Sequence, residues 1–89
     1  MERFLFIFEG TVQGVGFRIS LVRYAEKYHL TGYCRNLANG MVEAVFQGDR
    51  ETIFAHLDEL ENNRWIHIDS YTYKKLPLDP DLEQFDVIF

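Results

Sequence analysis

Apolar and polar positions along the chain follow one another in blocks that predict a small α+β fold. A continuous apolar run over residues 4–8 predicts a strand that is buried on both faces. Residues 19–30 instead carry apolar side chains at helical spacing, which predicts an amphipathic helix. The glycine-rich stretch of residues 10–18 therefore joins the end of a strand to the start of a helix.

The rest of the chain predicts five further elements. They are strands at residues 33–37, 41–47 and 66–73, a helix from Arg50 to Glu61, and a short closing strand at residues 85–89. Asn39-Gly40 is typical of a hairpin turn, and Asp49 is suited to cap the second helix. The order βαββαβ plus a short C-terminal strand predicts a ferredoxin-like α+β sandwich, with an antiparallel sheet and both helices on one face.

This topology makes a prediction about where two polar regions meet. The first strand and the strand at residues 33–37 would flank an inserted strand and run parallel to each other. Their C-terminal ends would then lie at the same edge of the sheet. We therefore expect Asn36, near the end of the second strand, to reach the loop that follows the first.

The loop itself has the features of an anion site. Gly14 and Gly16 allow the backbone to curl so that its N–H groups point outward, and the following helix start favours negative charge. Arg18 adds a planar fork of donors that matches phosphate oxygens. The spacing is neither that of a nucleotide triphosphate loop nor a full Gly-x-Gly-x-x-Gly, because Ile19 occupies the third glycine position. A tight turn without a ligand is the alternative interpretation.

Composition limits the partners of this chain. Its 89 residues, 47% of them hydrophobic, predict a single domain over residues 1–89. The formal net charge of −5 argues against nucleic acid, so the expected ligand is small. One cysteine excludes an internal disulfide, and no segment is long enough to span a bilayer. We expect a cytoplasmic monomer without a membrane or nucleic-acid partner.

The residue types near the loop restrict the chemistry. The three histidines are scattered without metal-ligand spacing, and Cys34 lacks the arginine six residues later that cysteine phosphatases need, since Gly40 stands there. Asn36 can orient a water without removing its proton; the alternative interpretation is a turn residue near the hairpin. No acid is evident to protonate a leaving group. This set favours a substrate with a good leaving group, such as a mixed anhydride of a carboxylic acid and phosphate.

Residues 10–18 together with residues 32–42 and Gly48 resemble both signatures of the acylphosphatases, and the resemblance extends over the whole chain. It implies a ferredoxin-like enzyme that hydrolyses small acyl phosphates without metal or cofactor, with inorganic phosphate as product and competing ligand. The phosphoryl group would be held by Arg18 and by the loop amides, while Asn36 would hold the attacking water. The loop residues concerned are Gln13, Gly14, Val15, Gly16 and Phe17.

The resemblance also carries two departures and one additional expectation. Thr11 stands where many members of the family have a basic residue, and the loop from Pro77 to Gln84 is acidic and not distinctive. In some members the terminal carboxylate pairs with the catalytic arginine, which here would join Phe89 to Arg18.

Two other classes of protein are alternatives to an enzyme. The first is a non-catalytic ferredoxin-like module that binds phosphate or carbamoyl phosphate, since similar domains open larger hydrogenase maturation proteins. The second is an RNA-binding sheet of the same topology, which the negative charge and the lack of an aromatic and basic stripe on the middle strand disfavour.

Overall fold

The computed structural model describes all 89 residues, which form a five-stranded sheet with helices packed on one face. In chain order the elements are β1 (Glu2–Thr11), α1 (Phe17–Tyr28), β2 (Thr31–Asn36), β3 (Val42–Gly48), α2 (Arg50–Ala55), a 3₁₀ helix (Leu57–Leu60), β4 (His67–Leu76) and β5 (Phe85–Ile88). The strand order across the sheet is β4-β1-β3-β2-β5. This confirms the predicted ferredoxin-like arrangement with an added C-terminal strand.

The first four strands run in the predicted antiparallel directions. β1 and β2 both pair antiparallel with β3, so they run parallel to each other, and β4 pairs antiparallel with β1. β5, however, pairs in parallel with β2, so the complete sheet is mixed rather than antiparallel. The reason is the connection: β4 and β5 lie on opposite edges, and the chain crosses between them at the end of the sheet where β2 begins. β5 therefore ends beside the end of β2.

The two faces of the sheet are covered differently. Phe4, Phe6 and Phe8 point toward the helices and are almost fully buried, whereas Leu5 and Ile7 on the other face are only half-buried. The apolar run predicts that β1 is buried on both faces, and this prediction is wrong, because only the face toward the helices is buried. The strand that is buried at every position is β3, which lies at the centre of the sheet.

The second helix is shorter than the sequence predicts. Asp49 caps it as expected, because its carboxylate accepts a hydrogen bond of 3.0 Å from the backbone N–H of Thr52. The α-helix ends at Ala55 instead of Glu61, and a 3₁₀ helix continues the chain. The change of helix type coincides with tertiary contacts, since the His56 ring stacks on Tyr28 at 4.8 Å between centroids. Contacts with α1 thus override a helical sequence pattern.

The acidic loop between β4 and β5 is fastened to the face of the sheet opposite the helices. The Gln47 side chain donates to the carbonyl of Asp79 at 2.9 Å and accepts from its N–H at 2.8 Å. The Asp79 carboxylate lies 3.8 Å from the Arg3 guanidinium. These contacts bury Gln47 and guide the chain across the sheet. No helix of the chain has the length and apolar character needed to cross a membrane.

Candidate active site

The glycine-rich loop lies between β1 and α1 and adopts the backbone conformation that a nest requires. Gly14 and Gly16 have φ angles of 73° and 84°, in the left-handed region that favours glycine. Gly16 is also the N-cap of α1 and provides no side-chain cap. The first N–H groups of the helix therefore lack an intrahelical or capping partner and are available to an anion.

Two side-chain amides hold this loop in place. The Gln13 side chain donates to the carbonyls of Leu37 and Met41, at 2.7 and 2.9 Å, and so ties the loop to the chain just beyond β2. From the other side, the Asn63 amide donates to the carbonyl of Val15 at 3.1 Å. One contact thus leaves the loop through the Gln13 side chain, and the other reaches the loop at the Val15 carbonyl, so both ends of the glycine-rich stretch are fixed to neighbouring segments. The Gln13 side chain thus anchors the loop, and only its backbone N–H remains a candidate for phosphate.

Asn63 supports the glycine-rich loop, a role that the sequence does not reveal. Its side-chain oxygen accepts from the N–H groups of Trp65 and Ile66, at 2.7 and 3.1 Å, while its amide reaches Val15. Asn62 beside it accepts a hydrogen bond of 2.8 Å from Ser20 in α1. In the sequence these two asparagines indicate only a loop, because their partners lie more than forty positions away.

Arg18 is the second residue of α1 and is half-buried beside the loop. Its guanidinium lies over the ring of Phe89, 5.3 Å from the centroid. None of the ion pairs of the chain involves Arg18 or the terminal carboxylate. The expected pairing of Arg18 with the carboxylate of Phe89 is therefore replaced by a contact with its ring. The positive charge of Arg18 is left without a carboxylate partner.

Asn36 lies where the topology places it, at the C-terminal end of β2. It is exposed and pairs in register with Val42, whose side chain is buried on the helix-facing side of the sheet. The adjacent turn forms without the Asn36 side chain, because Asn39 accepts the Met41 N–H at 3.0 Å. Gln13 ties the loop to the residue after Asn36. The strand end and the loop are thus brought together, and turn formation does not account for Asn36.

A cavity of about 560 Å³ opens beside the loop. Four of the predicted site residues line it: Gly14, Gly16, Phe17 and Arg18. Gln13, Val15 and Asn36 are not among the lining residues. The rest of the wall is formed by Val12, by α1, and by Val87 and Phe89, which reach this edge because β5 runs parallel to β2.

The remaining nucleophilic and metal-binding residue types lie apart from this chemistry. Cys34 is fully buried in the core, and burial raises the pKa of its thiol to about 11, although the nearby charge of Arg18 acts in the opposite direction. It is therefore a protonated thiol near neutral pH, and such a thiol is a poor nucleophile. No three or more His, Cys, Asp and Glu side chains are grouped so that they could hold a metal ion.

The structure thus combines a ferredoxin-like sandwich with a glycine-rich loop at a helix start, at the edge of the sheet where β1 and β2 end. The acylphosphatase family model matches residues 4–87, and the chain belongs to that family. Its members include curated acylphosphatases, so the chain is an enzyme of the acyl phosphate hydrolase class.

Individual relatives agree with this assignment. An acylphosphatase of Clostridium acetobutylicum is 31% identical over 90 residues, covering 100% of this chain and 99% of that protein. An acylphosphatase of Trichormus variabilis is 50% identical over 58 residues, which are 65% of this chain and 52% of that protein. The crystal structure of acylphosphatase from Bacillus subtilis superposes with a TM-score of 0.90 at 23% identity, over 100% of both chains, and supports the fold.

Proposed function

We propose that this chain hydrolyses the carboxyl–phosphate bond of small acyl phosphates, giving a carboxylate and inorganic phosphate. The observation that carries the proposal is the unpaired charge of Arg18 beside a glycine nest at a helix start. A half-buried arginine that has no carboxylate partner and lies beside free helix N–H groups is suited to bind an anion. The loop N–H groups and Arg18 would together surround the oxygens of one phosphoryl group.

In the proposed mechanism, Arg18 and the amides of residues 13–17 hold the phosphoryl group and stabilise the charge on its oxygens as the bond breaks. The Asn36 carboxamide orients a water molecule toward phosphorus. The water oxygen forms the new P–O bond, the P–O bond to the carboxylate breaks, and the carboxylate leaves with its electron pair. The water proton passes to a phosphoryl oxygen or to solvent.

The mechanism requires no general acid, and no acidic side chain lines the cavity at the loop end. The only carboxylate side chain that lines the cavity is Glu26, about two and a half turns along α1 from its start. A departing carboxylate has a conjugate-acid pKa of about 4, so it leaves as an anion without receiving a proton. Phosphoryl transfer of this kind depends on positioning and electrostatic stabilisation, which are what Asn36, Arg18 and the loop would supply.

Replacement of Asn36 by alanine should lower kcat by about 10²-fold, because a misplaced nucleophile costs about that much. Competitive inhibition by inorganic phosphate should stay nearly unchanged, since Asn36 positions the water rather than the phosphoryl group. The measurement is kcat with acetyl phosphate together with the inhibition constant of phosphate.

The matched control is Asn39→Ala, which removes a neighbouring exposed carboxamide that bonds only within the turn. This variant should keep its kcat. If Asn36→Ala retained full kcat, or lost phosphate inhibition, Asn36 would have to be reassigned to the turn or to the anion site.

Inorganic phosphate should raise the thermal midpoint of the wild-type protein, because it would bind the folded state alone. A concentration 100-fold above the dissociation constant contributes about 2.7 kcal/mol. The shift should be much smaller in Arg18→Gln and should stay full in Arg64→Gln, which removes an equal charge that stacks on Trp65. Thermal unfolding in phosphate, against chloride of equal ionic strength, measures this. Equal shifts in all three proteins would indicate a general salt effect.

A further inference from the structure

The cavity beside the loop continues well past the phosphoryl site, as a groove between α1 and the end of β5. One wall is a single helix face, since its residues are spaced by three or four positions along α1, and the other wall comes from β5. The groove residues are Ile19, Val22, Arg23, Glu26, Val87 and Phe89. We call this region the acyl groove. A phosphoryl group would occupy only the loop end of a cavity whose 560 Å³ lies within the range of about 300–1,000 Å³ typical of ligand sites.

The near part of the acyl groove is apolar and open. Ile19 is 59% exposed although it follows Arg18 directly, and Phe89 is fully exposed apart from its contact with the Arg18 guanidinium. Val22 continues the apolar surface one turn further along the helix. Exposed apolar side chains that adjoin a polar site gain free energy when a ligand covers them.

The charges around the acyl groove indicate what kind of ligand would cover its apolar side chains. Three charged side chains line the whole cavity: Arg18, Arg23 and Glu26. Arg18 would be neutralised by the phosphoryl group. Arg23 and Glu26 stand at the far end with opposite signs, so they offer no net attraction to a second anionic group on the substrate.

We infer that the acyl groove binds the acyl part of the substrate and favours uncharged apolar acyl chains over both acetyl and anionic acyl groups. This inference rests on the proposed function and names its substrate class. Each methylene that fills an enclosed apolar pocket is worth about 10-fold or more in kcat/KM. Because this groove is open on one side, we expect about tenfold for a whole hexanoyl chain, which corresponds to about 1.4 kcal/mol.

The test compares kcat/KM for acetyl, hexanoyl and succinyl phosphate. Acetate and hexanoate are carboxylates of nearly equal basicity, so the ratio of these two substrates reports binding of the chain rather than leaving-group reactivity. Succinyl phosphate adds a terminal carboxylate. The double variant Ile19→Thr/Val22→Thr makes the groove polar while it keeps β-branched residues of similar helix propensity. Leu78→Thr is the matched control, because Leu78 is an exposed apolar residue in the loop after β4.

The wild-type protein should prefer hexanoyl over acetyl phosphate about tenfold, and succinyl phosphate should be no better than acetyl phosphate. The double variant should reduce the hexanoyl preference to about threefold or less, mainly through a higher KM, because the groove holds substrate and transition state alike. Leu78→Thr should keep the wild-type preference. A wild-type ratio near one, a preference for succinyl phosphate, or a ratio unchanged in the double variant would overturn the inference. Failure to hydrolyse any of the three substrates would instead contradict the proposed function.

Discussion

Replacing Arg18 by glutamine should lower kcat/KM for acetyl phosphate by about 10²–10³-fold, which corresponds to the loss of one preorganised donor to a charged transition state. Glutamine removes the charge and the bidentate fork but keeps a polar side chain of similar length. Lysine at this position should restore activity only in part, because it carries the charge without the planar pair of donors. Steady-state kinetics of both variants measure the effect.

The stability of the same variant separates a functional role from a structural one. Arg18 lies in the first turn of α1, where the helix dipole disfavours a positive charge, and it has no ion pair to lose. Without phosphate, Arg18→Gln should therefore unfold at the same temperature as wild type or at a slightly higher one. A clearly lower midpoint, or near-normal kcat/KM, would show that Arg18 serves the fold rather than catalysis.

The parts of the site that the sequence predicts are those with a local cause. Gly14 and Gly16 indicate their backbone conformation directly, because a left-handed φ requires the absence of a Cβ atom. The position of Arg18 follows from the start of α1. The position of Asn36 is predicted in another way. The order of the elements along the chain places the ends of β1 and β2 at one edge of the sheet.

The parts that the sequence does not predict depend on distant contacts. Asn63 supports the loop from 48 positions away, and nothing in its neighbourhood indicates that partner. The sequence pattern predicts a helix that continues to Glu61. The α-helix ends at Ala55, where the next residue, His56, stacks on Tyr28 of α1. The direction of β5, and therefore the contact of Phe89 with Arg18, is set by where the preceding loop crosses the sheet.

The leaving group should control which phosphates this enzyme can hydrolyse. A positioned general acid contributes about 10²–10⁴-fold when a basic oxygen must depart, and the loop end of the cavity has no such acid. A carboxylate leaves without a proton, whereas the alkoxide of a sugar or glycerol phosphate is far more basic. Acyl phosphates should therefore be turned over at least about 10²–10⁴-fold faster than alkyl phosphate monoesters.

The central claim is tested most directly by the rates of acetyl phosphate and glycerol phosphate hydrolysis, each measured with EDTA and with a thiol-blocking reagent. The account predicts rapid turnover of acetyl phosphate, almost none of glycerol phosphate, and no effect of either additive. Cys34 should escape modification because it is buried with a raised pKa. Comparable turnover of glycerol phosphate would require an acid outside the proposed mechanism and would contradict it. Phosphate binding without any turnover of acetyl phosphate would identify a non-catalytic binding module instead.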